Sequence, residues 1–257
     1  MIYIIGGNGF VGSAYARLCE ARKLPHTVIT RDNYDSLVGT SCDILVNANG
    51  NSKKFMADRD PKWEFDASVR SVLHSLEDFQ SGAYVHLSTG DVYPDQASPA
   101  VTAEDTSIDA RKQSRYGLHK HLAEQLVLAR HPRPLVMRMG GFVGLGMRKN
   151  AIFDMLNGQP VWLTPDSELQ FINTDTAASL VWRLVERGAS NQIVNLGAAG
   201  VVRIGDIHAR LSSPSPFSPE ARSVRFELST ARLAELAGAP LPSAEAEVDA
   251  YLTTLGR

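Results

Sequence analysis

Two periods alternate along the first half of the chain. Short apolar runs rich in β-branched residues fall at residues 1–5, 25–31, 43–48, 83–87 and 134–139. Runs of this length, bounded by Gly, Asn and Pro, predict buried strands. Between them apolar residues recur at helical spacing. Phe10, Val11, Ala14, Tyr15 and Leu18 form one such face. Phe65, Val69, Val72, Leu73 and Leu76 mark a long helix over 61–79, and Ser114 opens another. Strands alternating with helices predict an α/β fold with a doubly wound parallel sheet. From Asn150 the pattern breaks up. Short helices are expected at 150–157 and 174–187, isolated strands at 161–163 and 192–196, a Pro/Ser-rich loop at 212–219, and weakly amphipathic helices at 231–236 and 244–255. The expectation is a dinucleotide-binding core over 1–149, with contributions from 173–197. A small substrate-binding lobe over 150–257 would close over it without folding independently.

Glycines punctuate the first strand-to-helix turn as Gly6-x-x-Gly9-x-x-Gly12. That context is the one a Rossmann-like dinucleotide fingerprint needs, although the spacing differs from Gly-x-Gly-x-x-Gly. Side chains there would block the turn, the approach to a pyrophosphate and the packing of helix on strand. The helix start then offers N–H donors to phosphate. Gly6, Gly9, Phe10, Val11 and Gly12 are the expected cofactor contacts. The second strand ends Thr30-Arg31, then Asp32. An Arg there accommodates a 2′-phosphate and an acid binds the ribose. Thr30 and Arg31 therefore favour NADP(H) over NAD(H), with Asp32 on the ribose as the alternative. The third strand runs into Asn47-Ala48-Asn49, which would border the cofactor at the sheet's ligand edge. The strand at 83–87 delivers Ser88-Thr-Gly-Asp-Val-Tyr93 to the same edge. Tyr116 and Lys120 are four apart and share a helix face. Met139 and Gly140 open a stretch with four glycines in seven residues, Gly140 to Gly146, expected close to a ligand or another backbone.

Composition narrows the partners. There are 26 basic and 28 acidic residues, a net charge of −2, so no nucleic-acid surface is expected. No apolar run approaches the ~20 residues of a membrane helix. A strand beginning at residue 2 leaves no room for a signal peptide, and a cytoplasmic location is expected. Cys19 and Cys42 read as packing residues, and the histidines show no metal-ligand spacing. The expected partner is a small molecule, with a homodimer through the flanking helices as a further expectation.

Together, Gly6-x-x-Gly9-x-x-Gly12, Ser88-Thr89 and Tyr116-x-x-x-Lys120 resemble the short-chain dehydrogenase/reductase superfamily. With Ser88 to Tyr93, Tyr116-Gly-Leu-His-Lys120, Arg138 to Gly146, Phe171 to Asp175, Asn195-Leu-Gly197 and Leu228 to Leu233, the chain resembles the extended branch, the NAD-dependent epimerase/dehydratase family. The resemblance implies hydride transfer to or from nicotinamide, with Tyr116 as acid/base. Lys120 would lower the phenol's pKa and hold the nicotinamide ribose. Thr89 would bind the reacting oxygen, with Ser88 as fallback. Asp91 is either a second acid/base or substrate contact, or the anchor of an Asx turn. His119 and His121 are expected to face away.

Two departures from the family stand out. Only residues 33–42 separate the second and third strands, so an edge strand–helix unit is expected to be lost, with Tyr34 free to cover the adenine. The family's Arg-x-x-Asn-x-Tyr-Gly becomes Arg138-Met-Gly-Gly141-Phe-Val-Gly144, which loses an Asn that often contacts a nucleotide-sugar phosphate. Gly141, Arg203 and Arg225 are the remaining substrate candidates. The expected function is interconversion of a carbinol and a ketone on a sugar, nucleotide-linked. The alternatives are an epimerase with retained NAD, a dehydratase further off, and a non-catalytic cofactor-binding regulator.

Overall fold

The computed structural model describes residues 1–256. The chain runs β1 (Ile2–Ile5), α1 (Gly12–Ala21), β2 (His26–Ile29), α2 (Tyr34–Leu37), β3 (Ser41–Asn47), α3 (Met56–Arg59), α4 (Pro61–Phe65), α5 (Ser71–Asp78), β4 (Gln80–Thr89), α6 (Arg115–Arg130) and β5 (Pro134–Met139). It continues through β6 (Gly141–Val143), α7 (Ala151–Leu156), β7 (Val161–Leu163), β8 (Glu168–Leu169), β9 (Phe171–Asn173), α8 (Thr174–Glu186), β10 (Gln192–Leu196), β11 (Val202–Arg203), α9 (Ile204–Arg210), β12 (Phe217–Arg222), β13 (Arg225–Phe226), α10 (Ala231–Ala237) and α11 (Ala244–Thr254).

Six strands form the central sheet in the order β2-β1-β3-β4-β5-β10, all parallel. The alternation within β1 shows why the sheet is covered on both sides. Ile2 and Ile4 join a core with Ala14 and Leu18 of α1 and Val181 of α8. Tyr3 and Ile5 join one with Val72 of α5 and Val127 of α6. β2 is an edge strand, and the single turn α2 fills the connection to β3, in keeping with a lost edge unit.

Three boundaries differ from the sequence reading. Gln192–Leu196 is not isolated but extends the central sheet, pairing with β5 in the register Val194↔Met137. The stretch 212–219 is not loop throughout, because β12 starts at Phe217 and pairs with β7. The helix over 61–79 is interrupted by a π turn at Asp66–Arg70. Cys19 and Cys42 are buried and unbonded. No helix among the described residues is long and apolar enough to cross a membrane.

Candidate active site

The glycine loop is held by its own crowding. Gly6 has φ +76°, and a Cβ there would lie 2.9 Å from the Ala48 carbonyl oxygen. The Gly9 N–H donates to Gly6 O at 2.9 Å, and a Cβ at Gly12 would overlap that same oxygen. Gly7, which the motif did not single out, is equally constrained, since its Cβ would lie 2.8 Å from Val28. α1 starts without a side-chain cap and with no acid in its first turn, so its N–H groups are unclaimed by side chains. Phe10 packs edge-on against Phe142, with ring centroids 6.5 Å apart. Val11 is the N-cap residue. This cradle, closed to any Cβ and open at a helix N-terminus, fits a dinucleotide pyrophosphate.

At the next strand end the turn is pinned by Asn33. Its side chain accepts from Thr30 N at 2.7 Å and donates to Val28 O at 3.0 Å. The Thr30 hydroxyl accepts from Asp32 N at 3.3 Å, so Thr30 first serves the turn. Arg31 is exposed and makes no ion pair among the described residues. Tyr34, the expected cover for an adenine, is held against the fold. Its hydroxyl donates to Asp78 at 2.9 Å and its ring packs edge-on against Phe79, just before β4.

Asn47 is likewise committed to the fold. It is buried, donates to Ser75 at 3.1 Å and Tyr84 at 2.7 Å, and accepts from Asn49 N at 3.0 Å. Its side chain shapes the Ala48–Asn49 bend. Asn51 was not foreseen. Its side chain closes a turn with Lys53 while its carbonyl accepts the Tyr116 hydroxyl at 3.0 Å.

Tyr116 and Lys120 lie in the first turns of α6, which Ser114 caps through Gly117 N at 3.0 Å. Both are buried, at 8 % and 5 % exposed. Gly117 lets the helix close on the turn after β4, where a Cβ would overlap the Asp91 carbonyl. Lys120 Nζ is 5.9 Å from the Tyr116 ring centroid and pairs with no carboxylate among the described residues. Thr89 donates to Asp91 Oδ2 at 2.8 Å and accepts from Asp91 N at 3.2 Å, while Lys54 pairs with Asp91 Oδ1 at 2.6 Å. The turn is anchored by the Thr89 hydroxyl and not by the Asp91 carboxylate, so the expected Asx turn is not formed and Asp91 instead takes the Thr89 hydroxyl and Lys54.

Ser88, the fallback for Thr89, is committed inside the fold. It is buried and donates to Glu124, the partner of Arg138 at 2.8 Å. His119 packs on Glu64, beside an open surface depression lined by Pro61, Lys62, Phe65 and Asp66.

The electrostatics reverse one expectation. Lys120 was expected to lower the phenol, yet burial, Asp91 and Glu64 push the Tyr116 pKa well up. Burial also holds Lys120 below the usual ammonium range, against the pull of Glu64, Glu124 and Asp91. Removing an ammonium and a phenol from water penalises the charged form of each.

The far side is less engaged than expected. Gly140 N donates to Leu196 O at 2.9 Å and Gly141 N to Gln170 O at 3.1 Å, so these glycines, after Met139, carry the chain from β5 into the smaller lobe. Arg225 is already held by Glu168 and by Glu227, the latter at 2.7 Å. Arg203 is exposed on the opposite edge of β8, 3.9 Å from Asp206. Neither Arg203 nor Arg225 is left as a free phosphate ligand in the cluster. The residue after Arg225 does reach it, because Phe226 and Leu228 pack over Gly90.

A parallel sheet with a glycine cradle at one strand end and a buried Tyr/Lys pair two strands away defines a nicotinamide-dependent enzyme of the extended short-chain dehydrogenase/reductase type. The chain belongs to the NAD-dependent epimerase/dehydratase family, whose sequence model matches residues 2–197. No curated protein matches it. Solved structures do. A UDP-galactose 4-epimerase superposes with a TM-score of 0.79 at 19 % identity, covering 99 % of this chain and 98 % of the other. RMD from Pseudomonas aeruginosa, complexed with NADPH, gives 0.77 at 22 % identity over 98 % and 99 %. UDP-glucuronic acid 4-epimerase from Bacillus cereus, complexed with a fluorinated UDP-glucuronic acid analogue and NAD, gives 0.78 at 18 % identity over 99 % of each chain.

Proposed function

We propose that the chain is an NADP(H)-preferring oxidoreductase that interconverts a carbinol and a ketone on a nucleotide-linked sugar. The observation that carries this reading is the convergence of Tyr116, Lys120 and Thr89 at the ligand edge of the sheet, across from the glycine cradle. Tyr116 gives or takes the proton at the reacting oxygen, and Thr89 holds that oxygen by a hydrogen bond, its hydroxyl turning from Asp91 to the substrate. Lys120, with no carboxylate in contact, holds the ribose hydroxyls and favours phenolate when the proton leaves. When bound, the nicotinamide supplies or accepts the hydride. The smaller lobe, reaching Gly90 through Phe226 and Leu228, is the proposed substrate cover.

Exposed Arg31 supports the cofactor preference. The bare edge strand β2 leaves the adenine end open, which favours an exchangeable cofactor over a retained one. Neighbours that bind UDP-sugars support the substrate class. The test is direct titration of NADPH and NADH by fluorescence. Wild type should bind NADPH more tightly, and Arg31→Ala should weaken NADPH about tenfold, on the order of one charge-assisted contact to phosphate, with NADH unchanged. Equal loss of both would remove the 2′-phosphate assignment. A tightly held NAD found on the purified protein and regenerated after turnover would favour the epimerase.

A homodimer is proposed through the face on which Trp63, Leu73 and Leu122 are exposed, on the packed helices α4, α5 and α6. A sedimentation mass of one chain would end that proposal.

A further inference from the structure

With Arg225 spent on two carboxylates and Arg203 remote, the substrate's negative charge needs another seat. Two lysines occupy the mouth of the site. Lys54 is bound to Asp91, whose other oxygen takes the Thr89 hydroxyl. Lys149 crosses from the segment after β6 and donates to the Ser52 carbonyl. The adjacent carbonyl, of Asn51, holds the Tyr116 phenol. One ammonium is therefore linked to each half of the candidate catalytic set. The Lys54 ammonium also stands 6.0 Å from the Phe226 ring centroid, on the side where the smaller lobe covers Gly90. This places the pair on the substrate side, away from the Gly6–Gly12 cradle that suits the cofactor phosphates.

The charges do not balance. Among the described residues, Asp91 is the one carboxylate paired with Lys54, and none is paired with Lys149. Burial, Lys54 and Lys53 hold the Lys149 ammonium below the ordinary lysine range, against the opposing pull of Asp91. A neutral ring lying against Thr89 and Tyr116 would leave Asp91 as the one carboxylate offsetting this repulsion. An oxyanion placed between the lysines would relieve it and form charge-assisted hydrogen bonds.

We propose that Lys54 and Lys149 form an anion seat for the substrate, so that the sugar carries a carboxylate or phosphate oxyanion close to its reacting carbon. The inference rests on the oxidoreductase reading and narrows its substrate class. A diphosphate attached at the far end of a ring does not reach a seat two hydrogen bonds from Thr89. A carboxylate on the carbon next to the reacting one does, and a phosphate nearer the reacting carbon is the other source of the same chemistry.

The test is calorimetric titration of the protein loaded with NADP⁺, using glucuronic acid, glucose 6-phosphate and glucose. At least one anionic probe should bind more tightly than glucose. Lys149→Met should weaken it about tenfold, the scale of one lost charge-assisted contact. Lys149→Arg should retain most of the binding, and Lys54→Met should repeat the loss. Tighter binding of glucuronic acid identifies the carboxylate as the source, and of glucose 6-phosphate the phosphate. Equal binding by wild type and Lys149→Met, or no preference over glucose, overturns the seat. NADPH affinity, measured on the same proteins, should be unchanged. A wild-type chain that binds no NADPH would instead fail the underlying oxidoreductase reading.

Discussion

Tyr116→Phe is expected to lower kcat for carbinol–ketone interconversion by about 10³-fold, within the span that a positioned acid/base contributes, while NADPH affinity stays near wild type. The substitution removes one oxygen from a side chain that is otherwise buried. Its fold cost should be small, about 1 kcal/mol for the hydrogen bond to the Asn51 carbonyl. The pH dependence follows from the direction of the shift. Burial, Asp91 and Glu64 hold the phenol protonated to well above the ordinary tyrosine range. In the reducing direction the phenol is the acid, so kcat/KM should stay flat through neutral pH and fall only in strong alkali. In the oxidising direction the phenolate is the base, so the rate should rise with pH. Steady-state rates in both directions check this. A Tyr116→Phe enzyme with wild-type kcat, or an oxidation rate that falls as pH rises, would remove Tyr116 from the chemistry.

That shift was the least legible part of the site. The pairing of Tyr116 with Lys120 is readable because helical spacing fixes which residues share a face. Its electrostatics are not, because Asp91 arrives from β4 and Glu64 from α4, both distant in sequence. The fold itself was legible where local pattern sufficed. β5 and β7 begin and end at the expected residues, and the unbroken apolar run at β1 marks the buried strand that the structure shows. Pairing across the smaller lobe was not. β6 with β9, and β8 between β11 and β13, are two- and three-residue strands whose partners lie far along the chain. Gln192–Leu196 was visible as a strand, but its place beside β5 depends on helix α8 packing against α1.

Polar residues misled in a consistent way. Ser88, Asn47, Arg225 and Tyr34 carry groups suited to ligands, yet each is spent inside the fold. A hydroxyl or amide near a strand end has the same composition whether it faces the crevice or the next helix. Asn51 carried no side-chain signal of its role, since the interacting group is its backbone carbonyl.

Arg138→Met should cost about 3–5 kcal/mol of stability, because it strands the Glu124 carboxylate in a site with no exposure. In wild type Arg138 meets both Glu124 oxygens, and its guanidinium lies 4.8 Å from the Tyr93 ring centroid. Methionine would leave Glu124 with the Ser88 hydroxyl alone. The melting temperature should fall by on the order of 10 °C for a chain of this size. The double variant Glu124→Gln/Arg138→Met should recover much of that loss, because the uncompensated charge is what costs most. The pair also joins the three elements that supply the site. Ser88 precedes Thr89 at the end of β4, Arg138 is on β5, and Glu124 is one helical turn beyond Lys120 on α6. Loosening it should therefore lower kcat in the folded Arg138→Met enzyme, assayed well below its melting temperature. A loss under 1 kcal/mol by urea titration would mean that water reaches Glu124 and that the pair does not clamp the strand end to the helix.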